Sequence, residues 1–266
     1  MKILTYIFFI SILPLVFVNQ EVKAAVPDID FVPIAAGEFM MGTPDLVEAQ
    51  FEIPATSETN IADEQPAHLV SLSAFEIGRY EITQGQWFAL MGTRPGPEEY
   101  WRHPRWQELP VVSISWQAAQ RFIQKMNKAD PRYLYQLPTE AQWEYVSRAG
   151  SKGLRPFEQD DLDNYAWSLR NSGDITHPVG QLKPNAFGVY DMFGNAWEWV
   201  SDWYHPGAYA GHQGKDPQGP LSGKLKVRRG GSYHCAPHLV RSGYRAADPP
   251  EQRYSVLGFR LVRKPL

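Results

Sequence analysis

A single cysteine, Cys235, occurs among 266 residues. No disulfide can form within the chain, so any thiol chemistry runs through that residue or through another molecule. Excess charge of one sign is also lacking: 26 Lys and Arg against 29 Asp and Glu give a net charge of −3. That removes the electrostatic basis for nucleic-acid binding. No Gly-x-Ser-x-Gly elbow, phosphate loop, dinucleotide-binding glycine motif or His-Glu-x-x-His is present, which withdraws support from hydrolase-elbow, nucleotide-binding and zinc-protease readings. Linkers rich in Ser and Gly, low-complexity stretches and repeats are absent too, and the chain reads as one domain.

What is present begins with Lys2, followed by an almost unbroken apolar run from Ile3 to Val18 and then Val22-Lys23-Ala24-Ala25. This is the grammar of a signal peptide. The run is short for a permanent span, which needs about 20 apolar residues, and it contains Pro14. Residues 1–24 are therefore expected to be a cleaved signal and residues 25–266 the mature domain, with retention as an anchor the alternative. No later segment is apolar enough to cross a bilayer. The expectation is a periplasmic or secreted monomer.

A hydrophobic fraction of 43% with 21% charged residues suits a packed globule, and 21 Gly with 22 Pro imply many turns between short elements. Strands are predicted at Phe31 to Ile34, Gly37 to Met41, His68 to Leu72 and Phe75 to Tyr80, and later at Lys226 to Arg229 and Gly258 to Val262. Three helices have chemically marked starts. Thr83-Gln84-Gly85-Gln86 and Thr139-Glu140-Ala141-Gln142 carry capping-box spacing, with stops at Gly92 and Gly150, and Ser115 precedes an apolar face of Trp116, Ala119, Phe122, Ile123 and Met126. After Gly150 no further helix is predicted. The class is α+β with a loop-rich C-terminal half.

Two segments concentrate chemistry. Between Asp191 and Trp199, the side chains of Asp191, Asn195 and Glu198 offer hard oxygen donors, and Gly194 lets carbonyls turn inward. Oxygen-only donors in a short turn suit Ca²⁺; the same residues also make an ordinary Asx-turn beside a solvated glutamate. The second is Arg228-Arg229-Gly230-Gly231-Ser232-Tyr233-His234-Cys235-Ala236-Pro237-His238. A thiol flanked by His234 and His238 near two arginines is suited to nucleophilic chemistry or to copper or another soft metal. A buried, inert Cys235 is the alternative.

Together these segments resemble the formylglycine-generating enzyme family, the sulfatase-modifying-factor domain. The matching stretches include Ala36-Gly37-Glu38-Phe39-Met40-Met41-Gly42, Leu137-Pro138-Thr139-Glu140-Ala141-Gln142-Trp143-Glu144, Gly194-Asn195-Ala196-Trp197-Glu198-Trp199, Arg229-Gly230-Gly231-Ser232-Tyr233 and Gly258-Phe259-Arg260, in order over residues 30–263. The resemblance implies a C-type-lectin-like α+β fold with little regular structure. It also implies a structural Ca²⁺ held by Asp191 and Glu198 side chains and by the carbonyls of Gly194 and Ala196. Aerobic members of the family oxidise a substrate cysteine with O₂ and copper(I) held between two thiolates. Cys235 occupies the first thiolate position, Ser232 matches another active-site residue, and the second thiolate position is Val240.

Three functions follow from the resemblance. The first is an exported oxidoreductase acting on a peptide or peptide-derived substrate, as in siderophore (pyoverdine) maturation, with Cys235, Ser232, His234 and His238 as catalytic candidates. The second is a non-catalytic lectin-like module binding a protein, peptide or glycan. The third, true formylglycine generation, is opposed by Val240.

Overall fold

The computed structural model describes residues 26–43, 61–211 and 214–266. The expected signal segment and the domain boundary at residue 25 lie outside the described residues. The predicted early strands form as β1 (Phe31–Ile34), β2 (Gly37–Met41), β3 (His68–Leu72) and β4 (Phe75–Gly78). The last stops two residues before the expected Tyr80.

The helices start where their caps require. Thr83 and Thr139 each accept a hydrogen bond from the third helical N–H while Gln86 or Gln142 reaches back to the cap N–H, and Ser115 accepts from Ala118 N–H. The resulting helices are Gln84–Met91, Trp116–Ala129 and Glu140–Arg148. Gly92 closes the first in the left-handed region at φ 67°. For the third, the left-handed cap falls on Ala149 at φ 44°, one residue before the expected Gly150. Trp116–Ala129 buries Ala119, Phe122, Ile123 and Met126 as its spacing predicts, with Ala118 added, while Trp116 at its start is half-buried.

Later strands complete three sheets. They are β5 (Tyr133–Gln136), β6 (Trp197–Trp203), β7 (Gly214–Lys215), β8 (Lys226–Arg229), β9 (Ala246–Asp248), β10 (Leu257–Phe259) and β11 (Val262–Pro265). The first sheet runs β1-β4-β11-β5, the second β10-β6-β8-β9 and the third β2-β3-β7. Strands from both ends of the domain, β1 and β11, thus flank β4 in antiparallel register. The free edge of β5 is blunted, because the Asn127 amide donates to Tyr135 O and accepts from Tyr135 N–H at 3.0 and 2.7 Å.

The strand expected from Gly258 to Val262 is split between β10 and β11 in two different sheets, and β7 and β9 were not expected. Further features also depart from the sequence reading. Single-turn helices do occur after Gly150, at Leu162–Tyr165 and Ala208–Gly211, too short to leave a periodic signature. Helix Glu98–Arg102 and strand β5 were not expected, being five and four residues long. Most important, Trp197–Trp203 is a central strand, where the sequence suggested only a donor-bearing turn. Both of its neighbours are strands and its first four residues are all buried, so it lacks the apolar–polar alternation that betrays a half-exposed strand.

Beneath the second sheet lies a buried ion-pair network. Arg229 reaches Glu144 at 2.5 Å and Glu140 at 3.1 Å, Arg245 reaches Glu140 at 2.7 Å, and Arg148 reaches Glu144 at 2.8 Å. Arg241 is paired with Glu64 nearby. Such pairs are costly to break singly, since removing one partner strands a buried charge.

Candidate functional site

The buried arginines hold the loop that presents Cys235. Arg229 donates to the carbonyls of Ser242 (2.5 Å) and Gly243 (3.1 Å), and Arg155 donates to those of Val240 (2.7 Å) and Pro237 (2.8 Å). The loop leaves β8 through Gly230 and Gly231, whose φ values of 97° and 76° favour glycine. Three backbone bonds, Cys235 N–H to Ser232 O, Tyr233 N–H to Asn195 O and Leu169 N–H to Cys235 O, fix its register at 2.9–3.0 Å.

Cys235 is 9% exposed, at the border of the core. Its Sγ lies 3.5 Å from Ser232 Oγ, and Ser232 Oγ also accepts a hydrogen bond from His234 N–H. Ser232 and Cys235 are therefore brought together as expected. The His234 imidazole is directed instead at Asp174, with Nδ1 2.5 Å from the carboxylate and both side chains 64% exposed. His238 lies in the 3₁₀ turn Pro237–Leu239, its carbonyl accepting from Arg241. Val240 is fully buried. A side-chain carbon placed on Gly231 would lie 3.3 Å from Val240 Cγ2 and 3.7 Å from Cys235 Cβ, so Cys235 and Val240 line the same small space. Exposed Leu169 and Ile175 stand on the adjoining segment that carries Asp174.

The second constellation is stitched to the first. Gly194 N–H donates to Gly230 O at 2.9 Å, and a side-chain carbon at Gly194 would come within 1.9 Å of Trp167 O. Asp191 accepts from Gly180 N–H at 2.7 Å. Glu198 is gripped by Arg260 through both carboxylate oxygens (2.6 and 2.7 Å) and accepts from Trp143 Nε1–H at 2.9 Å. Ala196 N–H donates to Glu81 at 3.1 Å, and the Asn195 amide donates to the other Glu81 oxygen at 3.2 Å.

Glu81 and Arg260 were given no role in the sequence reading. A signal for both existed, since each is a charged residue set among apolar neighbours, Tyr80 and Ile82 or Phe259 and Leu261. Asp174 carried no such signal.

Three buried carboxylates, Glu81, Asp191 and Glu198, thus share one guanidinium. Burial pushes Asp191 up to about 6, with Glu198 adding to the rise. Burial first, then the charges of Asp191 and Glu198, push Glu81 well above the usual carboxylate range. Fully ionised, the three carboxylates would outnumber their one guanidinium; protonation of Glu81 and Asp191, the direction in which burial shifts both, lowers that excess, and the side-chain donors of the turn are oxygens.

Among the described residues no group of three or more His, Cys, Asp and Glu is arranged to hold a metal ion, in the 191–198 turn as at Cys235, and at Cys235 Val240 offers no second thiolate. The residues present do not fit copper(I) held between two thiolates.

Comparison with known proteins agrees with this geometry. Residues 18–265 match the sulfatase-modifying factor enzyme 1-like domain. The chain is 29% identical to the formylglycine-generating enzyme of Bos taurus, covering 88% of this chain and 74% of that protein. It is 31% identical to the Mus musculus enzyme, covering 86% and 73%. Among solved structures, Treponema denticola variable protein 1 superposes with a TM-score of 0.75 at 30% identity, over 88% of this chain and 95% of that one. PvdO from Pseudomonas aeruginosa does so with a TM-score of 0.72 at 30% identity, over 88% and 94%. With residues 18–265 matched by that domain and the α+β framework shared with the solved structures, the chain belongs to the sulfatase-modifying-factor, or formylglycine-generating enzyme, family.

Proposed function

We propose that the protein is an exported oxidoreductase of this family that acts at Cys235 on a peptide or peptide-derived substrate, without the two-thiolate copper chemistry of formylglycine generation. The observation that carries this reading is the loop itself. Cys235 retains its Ser232 partner at 3.5 Å while fully buried Val240 fills the second thiolate position. In this arrangement Ser232 Oγ holds or gives a proton at Sγ, and His234 of the same loop forms a solvent-exposed hydrogen-bonded pair with Asp174. A peptide-derived substrate of the kind met in siderophore maturation is what the family resemblance of the sequence implies. A single thiolate at Cys235 would need a second donor from elsewhere, such as His238, to hold a soft metal.

The test is oxygen uptake by the purified mature protein with candidate peptides, alongside metal analysis. Cys235→Ala is expected to lower turnover by at least about 100-fold, the scale of losing a reacting group. Full turnover in that variant would exclude Cys235 from the reaction.

A structural Ca²⁺ in the 191–198 turn belongs to the same proposal, held by Asp191, Glu198 and the carbonyls of Gly194 and Ala196. It would relieve the excess of buried carboxylates over the single Arg260 guanidinium.

One observation favours a second reading, a binding module. A groove of about 610 Å³ is lined by Trp116, Gln120, Gln124, Gln136, Gln142 and Asp216 among others and includes no residue of the Cys235 loop. Such a volume suits a small ligand, at roughly 300–1,000 Å³. Saturable glycan or peptide binding lost on Gln120→Ala and unaffected by Cys235→Ala would favour it.

A further inference from the structure

Three aromatic side chains from separate local elements pack together where the core meets the surface, with Phe88 37% exposed, Trp106 half-buried and Trp101 buried beneath them. Phe88 lies on helix Gln84–Met91, Trp101 on helix Glu98–Arg102 and Trp106 in the following 3₁₀ turn. Their ring centroids are 5.2, 5.9 and 6.4 Å apart, and their planes are tilted to one another by 47°, 88° and 58°. Three mutually inclined rings at these spacings make a bowl. Its focus holds a cation already: the Arg94 guanidinium carbon sits 5.1 Å from the Phe88 centroid and 5.8 Å from both Trp101 and Trp106. All three distances fall within the roughly 6 Å over which a cation is attracted to a ring face.

Arg94 occupies the bowl as a detachable group. Its residue is exposed, and it forms no salt bridge among the described residues, whereas its neighbours Arg102 and Arg105 are paired with Glu98 and Glu108. The neighbours on either side are pinned: Trp87 Nε1–H donates to the Thr93 side-chain Oγ1 at 3.0 Å, and Trp101 Nε1–H donates to the Pro95 backbone carbonyl at 2.8 Å. The side chain can therefore swing out while the loop and the rings stay in place.

The shape of the bowl selects a ligand class. A planar guanidinium stacks best in a slot between parallel faces, and no two of these rings are parallel. A round, weakly hydrated cation meets all three inclined faces at once, as in aromatic cages for quaternary ammonium groups. We infer that Phe88, Trp101 and Trp106 form a binding site for a quaternary ammonium group, with Arg94 as its intramolecular plug. The site is built from residues outside the Cys235 loop and does not depend on the oxidoreductase reading.

The experiment is a titration of the mature protein with tetramethylammonium and choline, followed by tryptophan fluorescence, with neutral 3,3-dimethylbutanol as the uncharged isostere. A tethered competitor acts at a high effective concentration, so Arg94→Ala is expected to bind tetramethylammonium at least about tenfold more tightly than the wild type. The neutral isostere is expected to bind neither protein. Adding Phe88→Leu to Arg94→Ala should abolish binding. Phe88 is 37% exposed, so this change is expected to leave the melting temperature near that of Arg94→Ala. Phosphatidylcholine vesicles form a second arm: co-sedimentation of Arg94→Ala that is lost with Phe88→Leu assigns the cation to a lipid headgroup, and saturable choline binding without co-sedimentation assigns it to a soluble ligand. The inference is overturned if Arg94→Ala shows no saturable response to either cation, or if the neutral isostere binds as tightly as the cations.

Discussion

At the scale of single residues, the proposed role of Cys235 turns on Val240, which the family resemblance places at the second thiolate position. Val240 and Cys235 both lie against Gly231, so Val240→Cys places a second thiol in the same space as the first. Loss of buried methyl groups there should cost about 1 kcal/mol of stability, leaving the fold intact. The variant is expected to bind one copper(I) through two thiolates, or to form a disulfide on oxidation, while the wild type does neither. Copper stoichiometry and thiol titration read the result, and an unaltered copper content in the variant would show that the loop geometry, and not the missing thiol, bars the two-thiolate site.

Asp202 is a residue whose burial makes stability depend on pH. It accepts hydrogen bonds from Glu140 N–H and Ser201 Oγ–H, yet burial, with Glu140 adding to it, pushes its carboxyl from 3.8 up to about 7. The folded state therefore binds a proton that the unfolded state has lost, and this residue's contribution to stability declines as pH rises from about 4 to about 7. Asp202→Asn keeps an acceptor and removes the titration. Its melting temperature relative to wild type should rise between pH 5 and pH 8, by an amount corresponding to about 1–3 kcal/mol. A difference that stays constant with pH would mean that Asp202 is charged throughout.

At the scale of elements, the sequence was most legible where local chemistry writes structure. Thr83, Ser115 and Thr139 announce helices because a side-chain oxygen must satisfy N–H groups that no helical carbonyl reaches. Removing one cap tests that account: Thr139→Ala should destabilise the protein by about 1 kcal/mol, read as a lower urea midpoint with an unchanged slope.

Strand β6 was illegible for the opposite reason. Its partners, β10 and β8, are nearly 60 and 30 residues downstream, and a strand buried between them shows neither alternation nor a local stop. The candidate site divides in the same way. Ser232 and Cys235 lie three residues apart and are legible together, and Asp191, Gly194, Asn195 and Glu198 stand out in one short segment, whereas Ala196 enters only through the family resemblance. Glu81, Asp174 and Arg260 complete these clusters from distant parts of the chain, through contacts that only the tertiary fold creates.

At the scale of the whole molecule, the turn 191–198 joins parts that are far apart in sequence. Glu81 precedes the first helix, Glu198 begins β6, Arg260 follows β10, and Gly194 is bonded to the root of the thiol loop at Gly230. Whatever neutralises the three carboxylates therefore ties both ends of the domain to the Cys235 loop. With Ca²⁺ as the additional counter-charge, a ligand that binds only the folded state raises stability with concentration, by about 2.7 kcal/mol at one hundred times its dissociation constant. A calcium chelator should then lower the melting temperature of the wild type and restoring Ca²⁺ should recover it. Asp191→Asn should weaken that response, because it removes a charged donor while preserving an oxygen that accepts from Gly180 N–H. Thiol accessibility gives a second readout. Because the turn anchors the loop, removal of Ca²⁺ should speed labelling of Cys235, the sole thiol, by a maleimide. If neither melting nor labelling responds to chelation, Arg260 and protonation of Glu81 and Asp191 are the whole of the charge balance, and the calcium assignment fails while the fold and the thiol loop stand.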